Sequence, residues 1–407
     1  MSNDFSRRDF LRSSAIIAVG VASPPWLAKI ARADVLSLAQ GKKLDPDNVL
    51  VVCQLSGGND GLNTVVPWAD AAYYSARPAI GIKENESLKL NDSMGLHPNM
   101  QGVADLYKSG KLAIVQNVGY PNPNRSHFRS MEIWQTANPD NVEAYGWLGK
   151  HLDMQMKEGS TNPVMAINFG RQANLALKAK QASVPCFASL ADVQSLVGDM
   201  DDERMLREVQ GKTGTGDAEA VRKANLTALD AMAELKKAMS NYTSKATYAN
   251  DQFGQGFKQV AQIIATLPKT RVIYFSAGGF DTHSNQPTQH ANLMKTFSDS
   301  LKTFMDEMQA IGKANKVTVL VFSEFGRRVN ENASQGTDHG AAAPMFVAGG
   351  LVKGGFYGDN PDLRNLDRGD VAWKTDFRQV YASVIDNWMG GDSASVFGRK
   401  FDHVKIY

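Results

Sequence analysis

Six short apolar runs recur along the chain and predict the strands of one sheet. They begin at Asn48, Lys111, Val164, Arg271, Lys316 and Met345. Most are continuously apolar rather than alternating, which is typical of strands that helices cover on both faces. Helical patterns lie between the runs, for example over residues 292–311. Strands that alternate with helices predict an α/β fold, a three-layer sandwich around a mostly parallel central sheet.

The stretch over residues 171–266 differs in character from the rest of the chain. It is polar, its pattern is helical, and it contains no clear strand. A chain of 407 residues can form one large domain or two. Because polar residues that follow predicted strands occur on both sides of this stretch, we interpret it as a helical insertion or cap within one domain, residues 34–407.

The N-terminal segment has the features of an export signal. In "SRRDFLRSSAIIAVGVASPPWLAKIARA", Arg7 and Arg8 precede a modest apolar stretch, which closes with the small residues Ala31 and Ala33. This order resembles a twin-arginine signal peptide, residues 1–33, with cleavage after Ala33. It predicts passage through the twin-arginine translocase and a periplasmic or secreted location. The apolar part is too short for a stable membrane span.

Charge and cysteine content exclude two classes of function. The chain has 44 Lys and Arg against 42 Asp and Glu, so no excess of positive charge indicates binding to nucleic acid. Its two cysteines, Cys53 and Cys186, are too few for a cysteine-based metal site. Cys53 lies inside an apolar run, which predicts a buried free thiol rather than a disulfide.

Metal-binding residue types collect next to the predicted strands. Asp60 lies in "SGGNDGLN" after the first strand, and Asp281 and His283 lie in "GGFDTHSNQ" after the fourth. Asp338 and His339 lie in "QGTDHGAAAP", just ahead of the sixth. In open α/β sheets, ligands bind beyond the carboxyl ends of the strands. The pattern therefore predicts that these five residues converge on one metal-binding pocket.

Several of these residues also have a purely structural interpretation. Asn-Asp-Gly around Asp60 favours a turn. Ser126 opens a predicted helix, where it can be an N-cap or a nucleophile that faces the positive end of the helix dipole. Glu324 and Arg327, in "EFGRR", fit a structural ion pair, a metal ligand or an oxyanion clamp.

The adjacent pair Asp338 and His339 allows two arrangements. In an extended segment, neighbouring side chains point in opposite directions, so the pair can serve two nearby ions. The flanking glycines also permit a turn through which both residues bind one ion. His97 and His127 can approach the site or act as hydrogen-bonded structural histidines.

In chain order these residues are similar to those of the alkaline phosphatase superfamily. More closely, the chain resembles DUF1501, a family of exported bacterial proteins of unknown function that is grouped with that superfamily. The matching stretches are "SGGNDGLNTVVP", "GLHPNM", "NRSHF", "GWLGK", "GGFDTHSNQ", "SEFGRR" and "GTDHGAAAPMFVAGG".

The resemblance implies an exported, metal-dependent hydrolase of phosphate or sulfate esters, acting on a small-molecule or glycan ester. The divalent cations it implies are zinc, manganese, magnesium or calcium. It assigns one cation to Asp60, Ser126, Asp338 and His339, and a second to Asp281 and His283.

The resemblance also assigns the catalytic roles. It makes Ser126 the nucleophile and Arg125, Arg327 or Asn59 the holder of the non-bridging oxygens. The phosphatase pattern has a second histidine ligand late in the chain. His403 has the matching position in chain order, although it lies at the C-terminus. The Cys/Ser-x-Pro-x-Arg signature of formylglycine sulfatases is absent from the sequence, so that mechanism is not expected. The alternative is a non-catalytic exported protein that keeps the fold to bind a glycan or an envelope partner.

Overall fold

A computed structural model describes residues 47–156, 162–190, 207–208 and 217–407. The expected twin-arginine signal and its cleavage site therefore lie outside the described residues. Within the described ranges, no helix combines the length and the apolar character that crossing a bilayer requires.

The strands follow the predicted runs. In chain order they are β1 (Val49–Leu55), β2 (Val65–Val66), β3 (Leu88–Lys89), β4 (Gly95–Leu96), β5 (Leu112–Gly119), β6 (Ala166–Phe169), β7 (Cys186–Phe187), β8 (Val272–Ala277), β9 (Val317–Phe322), β10 (Ala343–Gly349), β11 (Gly355–Tyr357) and β12 (Thr375–Asp376). The six apolar runs correspond to β1, β5, β6, β8, β9 and β10, so the predicted strands are confirmed.

One large sheet has the order β11-β5-β10-β9-β1-β8-β6-β7, with β12 also paired to β5. Its pairs are parallel except those that β10 makes with β5 and β9. This confirms the mostly parallel sheet. Strands β2, β4 and β3 form a separate small antiparallel sheet.

Helices cover both faces of the large sheet, as its apolar strands require. They are α1 (Gly61–Thr64), α2 (Ala71–Ala76), α3 (Gln101–Lys108), α4 (His127–Thr136), α5 (Trp147–Gln155), α6 (Asp217–Asn241), α7 (Gln252–Thr266), α8 (Gln286–Ala310), α9 (Phe377–Asn387) and α10 (Ser393–Phe397). Short 3-10 helices occur at Leu175–Leu177 and Ala314–Lys316.

The side chains of β1 alternate between two hydrophobic cores. Val51 and Cys53 join a core formed with α3, α7 and α8, whereas Leu50 and Val52 join a core formed with α4, α5 and α9. Two cores on opposite faces of one sheet make the three-layer sandwich that the sequence predicts. Cys53 is buried and free, as expected, and Cys186 is also free.

The described part of the stretch over residues 171–266 is helical at its end, in α6 and α7. Phe253 and Phe257 of α7 are buried in the first core, so this helix is part of the sandwich. The stretch also contains β7, which extends the sheet beside β6. This strand was not predicted, because two residues are too few to show an alternating or continuously apolar pattern.

Strand direction explains why the candidate site residues lie at one edge of the sheet. Strands β1, β5, β8 and β9 run in the same sense, so their carboxyl ends lie along the same edge of the sheet. Strand β10 is antiparallel and starts at that edge. The loops after β1, β5 and β8 and the connection from β9 to β10 therefore meet there.

Candidate metal centre

Four side chains from three loops converge at this edge. The Nε2 atom of His339 lies 2.9 Å from His283 Nε2, 3.1 Å from His127 Nε2 and 3.1 Å from Asp281 Oδ1. Asp281 also lies 3.0 Å from His283 Nε2 and, through its other oxygen, 3.5 Å from His127 Nε2. The ligand atoms of His127, Asp281 and His339 all lie within 4.8 Å of one another.

These distances fit a metal site. A tetrahedral zinc ion holds its nitrogen ligands at about 2.0–2.1 Å, which puts neighbouring ligand atoms about 3.3 Å apart. Nitrogen lone pairs that face each other at 2.9 and 3.1 Å repel unless a proton or a cation lies between them. Three imidazoles and one carboxylate are suitable ligands for a divalent transition metal. The residues therefore fit a bound cation.

The outer nitrogen of each imidazole is held by an oxygen acceptor. Because the partners are carboxylates and a carbonyl, each Nδ1 donates and each Nε2 keeps its lone pair for the centre. The distances are 2.8 Å from His127 Nδ1 to Glu324 Oε1, 2.8 Å from His339 Nδ1 to the Arg125 carbonyl and 3.2 Å from His283 Nδ1 to Asp338 Oδ1.

Neighbouring groups shift the pKa values of two residues at the centre in opposite directions. The hydrogen bond to Glu324 raises the pKa of His127, against the effect of burial. Burial acts to raise the pKa of Asp281, but the hydrogen bond from Arg327 and the positive charge of that guanidinium lower it to about 2. Asp281 is therefore a carboxylate across the physiological pH range, as a metal ligand must be.

Arg327 holds the surrounding loops together. Its guanidinium is completely buried and lies 2.6 Å from Asp281 Oδ1. Its remaining hydrogen bonds go to the main-chain carbonyls of Gly57, Gly58, Phe280 and Thr337. The expectation placed Arg327 against the substrate. In the structure, the N–H groups of Arg327 instead donate to Asp281 and to main-chain carbonyls, so Arg327 positions Asp281 and the loops.

Glu324 orients His127 from beneath the centre. Its carboxylate is buried, and Oε1 accepts hydrogen bonds from His127 Nδ1 and from the Gly57 N–H, both at 2.8 Å. Of the three interpretations left open by the sequence, the geometry favours a structural pairing, with His127 rather than with Arg327.

Asp60 is engaged away from the centre. Its carboxylate and the guanidinium of Arg77 are both completely buried and 2.6 Å apart. Gln286 donates to the same carboxylate oxygen, and the other oxygen caps α1 through the Leu62 N–H at 3.2 Å. Burial acts to raise the pKa of Asp60, but Arg77 holds it below its ordinary value. This differs from the expected metal ligand, because Arg77 already neutralises the charge.

Gln286 connects the two loops that carry the ligands. Its buried side-chain carbonyl accepts hydrogen bonds from Thr282 Oγ1 at 3.0 Å and Thr337 Oγ1 at 2.6 Å. Thr282 lies between Asp281 and His283, and Thr337 precedes Asp338. The amide of Gln286 therefore fixes both loops and links them to the Asp60–Arg77 pair.

The glycines of these loops allow close backbone contact. Gly57 has φ of +124°, and a Cβ added there would lie 2.5 Å from the Asp281 nitrogen. A Cβ on Gly336 would lie 2.2 Å from the His283 carbonyl carbon. Glycine is required at both positions so that loops from different strands can pack directly on each other.

The pair Asp338 and His339 points in two directions. His339 faces the centre, whereas Asp338 is 64% exposed and accepts from the outer nitrogen of His283 and from Asn332. This geometry matches neither of the two arrangements considered from the sequence, because only His339 faces the ion site and Asp338 is an outer partner of His283.

Ser126 directly precedes the candidate ligand His127 in the chain and is exposed to solvent. It occupies the N-cap position of α4, but its hydroxyl makes no capping hydrogen bond. The next residue, His127, places its ring in the centre. The hydroxyl is therefore open to a ligand that approaches from solvent.

Two further histidines lie elsewhere. His97 packs edge-on against His290, with ring centroids 5.6 Å apart. His403 bonds to Asp386 at 2.7 Å. Neither belongs to the cluster around His339.

The family model described as "Protein of unknown function (DUF1501)" matches residues 47–399. The chain belongs to DUF1501. Among curated proteins, none matches this DUF1501 sequence.

Solved structures similar to the DUF1501 chain include members of the expected superfamily. The PsFucS1 sulfatase from Pseudoalteromonas sp. is 10% identical, with a TM-score of 0.39 over 95% of this chain and 75% of that one. The C-terminal periplasmic domain of EcEptC from Escherichia coli, solved with Zn, is 9% identical, with a TM-score of 0.36 over 74% of this chain and 72% of that one. An alkaline phosphatase superfamily protein from Vibrio parahaemolyticus is 10% identical, with a TM-score of 0.35 over 78% of this chain and 63% of that one.

At such low identity, the reaction of the DUF1501 chain must be inferred from its own side chains. From the sequence, His127 could be either a site residue or a structural histidine, and the roles of Arg77 and Gln286 were not predicted. The position of His127, directly after the candidate nucleophile at a helix start, was the available signal. Arg77 and Gln286 carry no local signal, because their partners are distant in the chain or lie in other loops.

Proposed function

We propose that the chain is an exported hydrolase of phosphate or sulfate esters that uses one divalent cation. The observation that carries this proposal is the convergence of His127, Asp281, His283 and His339 beside the exposed hydroxyl of Ser126. Asp60 is neutralised by Arg77, so we propose one cation rather than two. Three imidazole ligands favour zinc over magnesium or calcium, which prefer oxygen ligands.

When bound, the divalent cation supplies Lewis acidity that neutralises the anionic oxygens of an ester. In our proposal the Ser126 oxygen attacks the phosphorus or sulfur atom, the bond to the ester oxygen breaks, and the alcohol leaves with the proton that Ser126 loses. A water molecule then attacks the seryl ester, which releases phosphate or sulfate and restores the Ser126 hydroxyl. The free N–H groups in the first turn of α4 face the developing charge, because they lie at the positive end of the helix dipole. Glu324 and Arg327 hold His127 and Asp281 in place during the step.

We also propose a single domain over residues 34–407, exported through the twin-arginine pathway after removal of residues 1–33. Support comes from the paired arginines, the apolar stretch and the small residues at the cleavage site. Replacement of Arg7 and Arg8 by lysine is expected to retain the precursor in the cytoplasm, which fractionation and immunoblotting measure.

The test of the proposed reaction uses the mature chain, loaded with zinc. We expect one equivalent of zinc by mass spectrometry and hydrolysis of 4-nitrophenyl phosphate or 4-nitrophenyl sulfate. Ser126→Ala is expected to keep the metal and lose turnover by about 100-fold or more. The control Ser75→Ala, on the exposed face of α2, is expected to keep both.

Full turnover by the Ser126→Ala variant contradicts the assigned nucleophile. Asp60 is paired with Arg77 and is therefore missing from the expected set of metal ligands. This favours the second candidate, a non-catalytic exported protein that binds a glycan or an envelope partner. Stoichiometric zinc without turnover of either ester supports that candidate instead.

A further inference from the structure

Two arginines beside the centre share one buried carboxylate. Arg125 contacts Asp370 Oδ2 through Nε at 2.9 Å and through Nη2 at 2.5 Å. Arg328 places its Nε 3.6 Å from the other oxygen of Asp370. Both guanidinium groups also donate to the carbonyl of Arg368, at 3.3 Å and 2.6 Å. The two cationic groups are therefore held against the same pair of acceptors.

This arrangement leaves an exposed positive charge. Asp370 is 2% exposed at its side chain, whereas Arg125 and Arg328 are 33% and 35% exposed. Arg368 does not add to the excess, because it pairs with Asp367 at 3.3 Å. Two exposed guanidinium groups share one buried carboxylate, so Asp370 alone does not neutralise the pair.

The outer donors of this pair are available. A guanidinium has five N–H donors, which match the oxygens of a carboxylate, phosphate or sulfate. In the described part of the structure, Nη1 of Arg125 and Nη2 of Arg328 have no hydrogen-bond acceptor. A pair whose role was only to balance Asp370 would need one arginine.

The pair is attached to the candidate centre through its backbone. The carbonyl of Arg125 accepts from His339 Nδ1 at 2.8 Å, and the N–H of Arg328 donates to the Asp338 carbonyl at 2.9 Å. Arg125 also directly precedes Ser126. The exposed charge therefore lies at the rim of the place where an ester would react.

We propose that Arg125 and Arg328 bind a second anionic group of the substrate, apart from the ester that reacts at the centre. This inference rests on the proposed function and specifies its substrate class. The substrates are esters whose alcohol carries another phosphate, sulfate or carboxylate, as in a multiply substituted sugar. Bidentate guanidinium contacts recognise such groups by geometry as well as by charge.

The test compares two ligands by calorimetry on the zinc-loaded mature chain: a hexose bisphosphate and the matching hexose monophosphate. We expect the bisphosphate to bind about tenfold more tightly or better, the effect of one charge-assisted contact. Arg328→Gln is expected to abolish this advantage and leave the affinity for the monophosphate, the zinc content and the melting temperature unchanged.

The matched control is Arg271→Gln, which removes an arginine that is 27% exposed and paired with Asp47, away from the pair. It is expected to keep the bisphosphate advantage. Equal affinities for the two ligands in the wild type, no binding of either, or an undiminished advantage in Arg328→Gln overturns the proposal. If Arg328→Gln removes the bisphosphate advantage but the wild type hydrolyses no aryl ester, the anion site is supported and the proposed reaction is rejected.

Discussion

At the scale of single residues, the centre depends on polar groups that are buried behind it. The Asp60–Arg77 pair has no exposed side-chain surface, and Gln286 connects it to Thr282 and Thr337. Such groups have no water to replace a lost partner, so each removal leaves an unsatisfied charge or dipole.

Removal of Arg77 is expected to destabilise the fold. Arg77→Met leaves the Asp60 carboxylate buried without its counter-charge, which costs about 3–5 kcal/mol in the free energy of unfolding. Urea denaturation measures this change, and adding Asp60→Asn to the same chain should recover part of it. The control is Arg364→Met, whose side chain is 67% exposed, so its pair with Asp70 contributes at most about 1 kcal/mol. Equal losses in the two variants contradict the prediction.

Removal of the Gln286 amide is expected to weaken metal binding. Gln286→Leu frees the loops that carry Asp281, His283 and His339, and the affinity for zinc should fall about 10–100-fold. Competition with a chromophoric chelator gives the dissociation constant. The control is Gln289→Leu on the exposed face of the same helix, which should bind zinc like the wild type. Unchanged affinity in Gln286→Leu means that the two loops hold their positions without this residue.

At the scale of elements, the centre is assembled from loops at one sheet edge that must touch along their backbones. The loop after β1 packs on the loop after β8, and Gly57 lies at their contact. The connection from β9 to β10 brings Arg327 and His339 together through an isolated bridge. The positions of the ligands therefore depend on main-chain contacts as much as on side-chain choice.

Gly57→Ala is expected to lower both stability and zinc affinity. The new methyl group would lie 2.5 Å from the Asp281 nitrogen, so the ligand loop must shift. The control is Gly110→Ala, which also has a positive φ, +71°, but meets nothing within 4 Å. Backbone strain costs about 1–2 kcal/mol in both variants, and only Gly57→Ala should lose zinc. Equal zinc affinity in the two proteins contradicts the role of this contact.

At the scale of the whole molecule, the sandwich buries histidines whose neutral form is favoured in the folded state. His151 on α5 is enclosed by the second core, its Nδ1 has no hydrogen-bond partner among the described residues, and burial lowers its pKa to about 4. Burial likewise lowers the pKa of His290 to about 4. In the unfolded chain both titrate near the ordinary value of about 6.5. The folded state therefore binds fewer protons than the unfolded state between these values, and acid destabilises the fold.

The expected stability is full above about pH 6.5 and falls towards pH 4, by about 1.4 kcal/mol per pH unit for each such histidine. Replacing His151 by Gln removes one titrating group, so the slope of unfolding free energy against pH should decrease by that amount. Denaturation series in the presence of a chelator measure the slope without a contribution from metal release. Parallel curves for the two proteins would show that His151 is not a source of acid instability.

The sequence alone determined the strands and much of the candidate site. Strands covered on both faces must be apolar, so six runs were readable without any knowledge of their partners. The loops that hold Asp281, His283 and His339 could also be found, because metal-binding residue types collect there next to predicted strands, where α/β sheets bind their ligands. Export remains a prediction from residues 1–33.

Only the tertiary structure decided which of these residues meet. Asp60 and Asp281 follow strands in the same way, yet a buried Arg77 engages one and three imidazoles surround the other. His127 and Glu324 are 197 positions apart, and their hydrogen bond depends on how α4 and β9 pack. Local periodicity encodes which face of an element is apolar, whereas the partner of a polar side chain depends on contacts between elements distant in the chain.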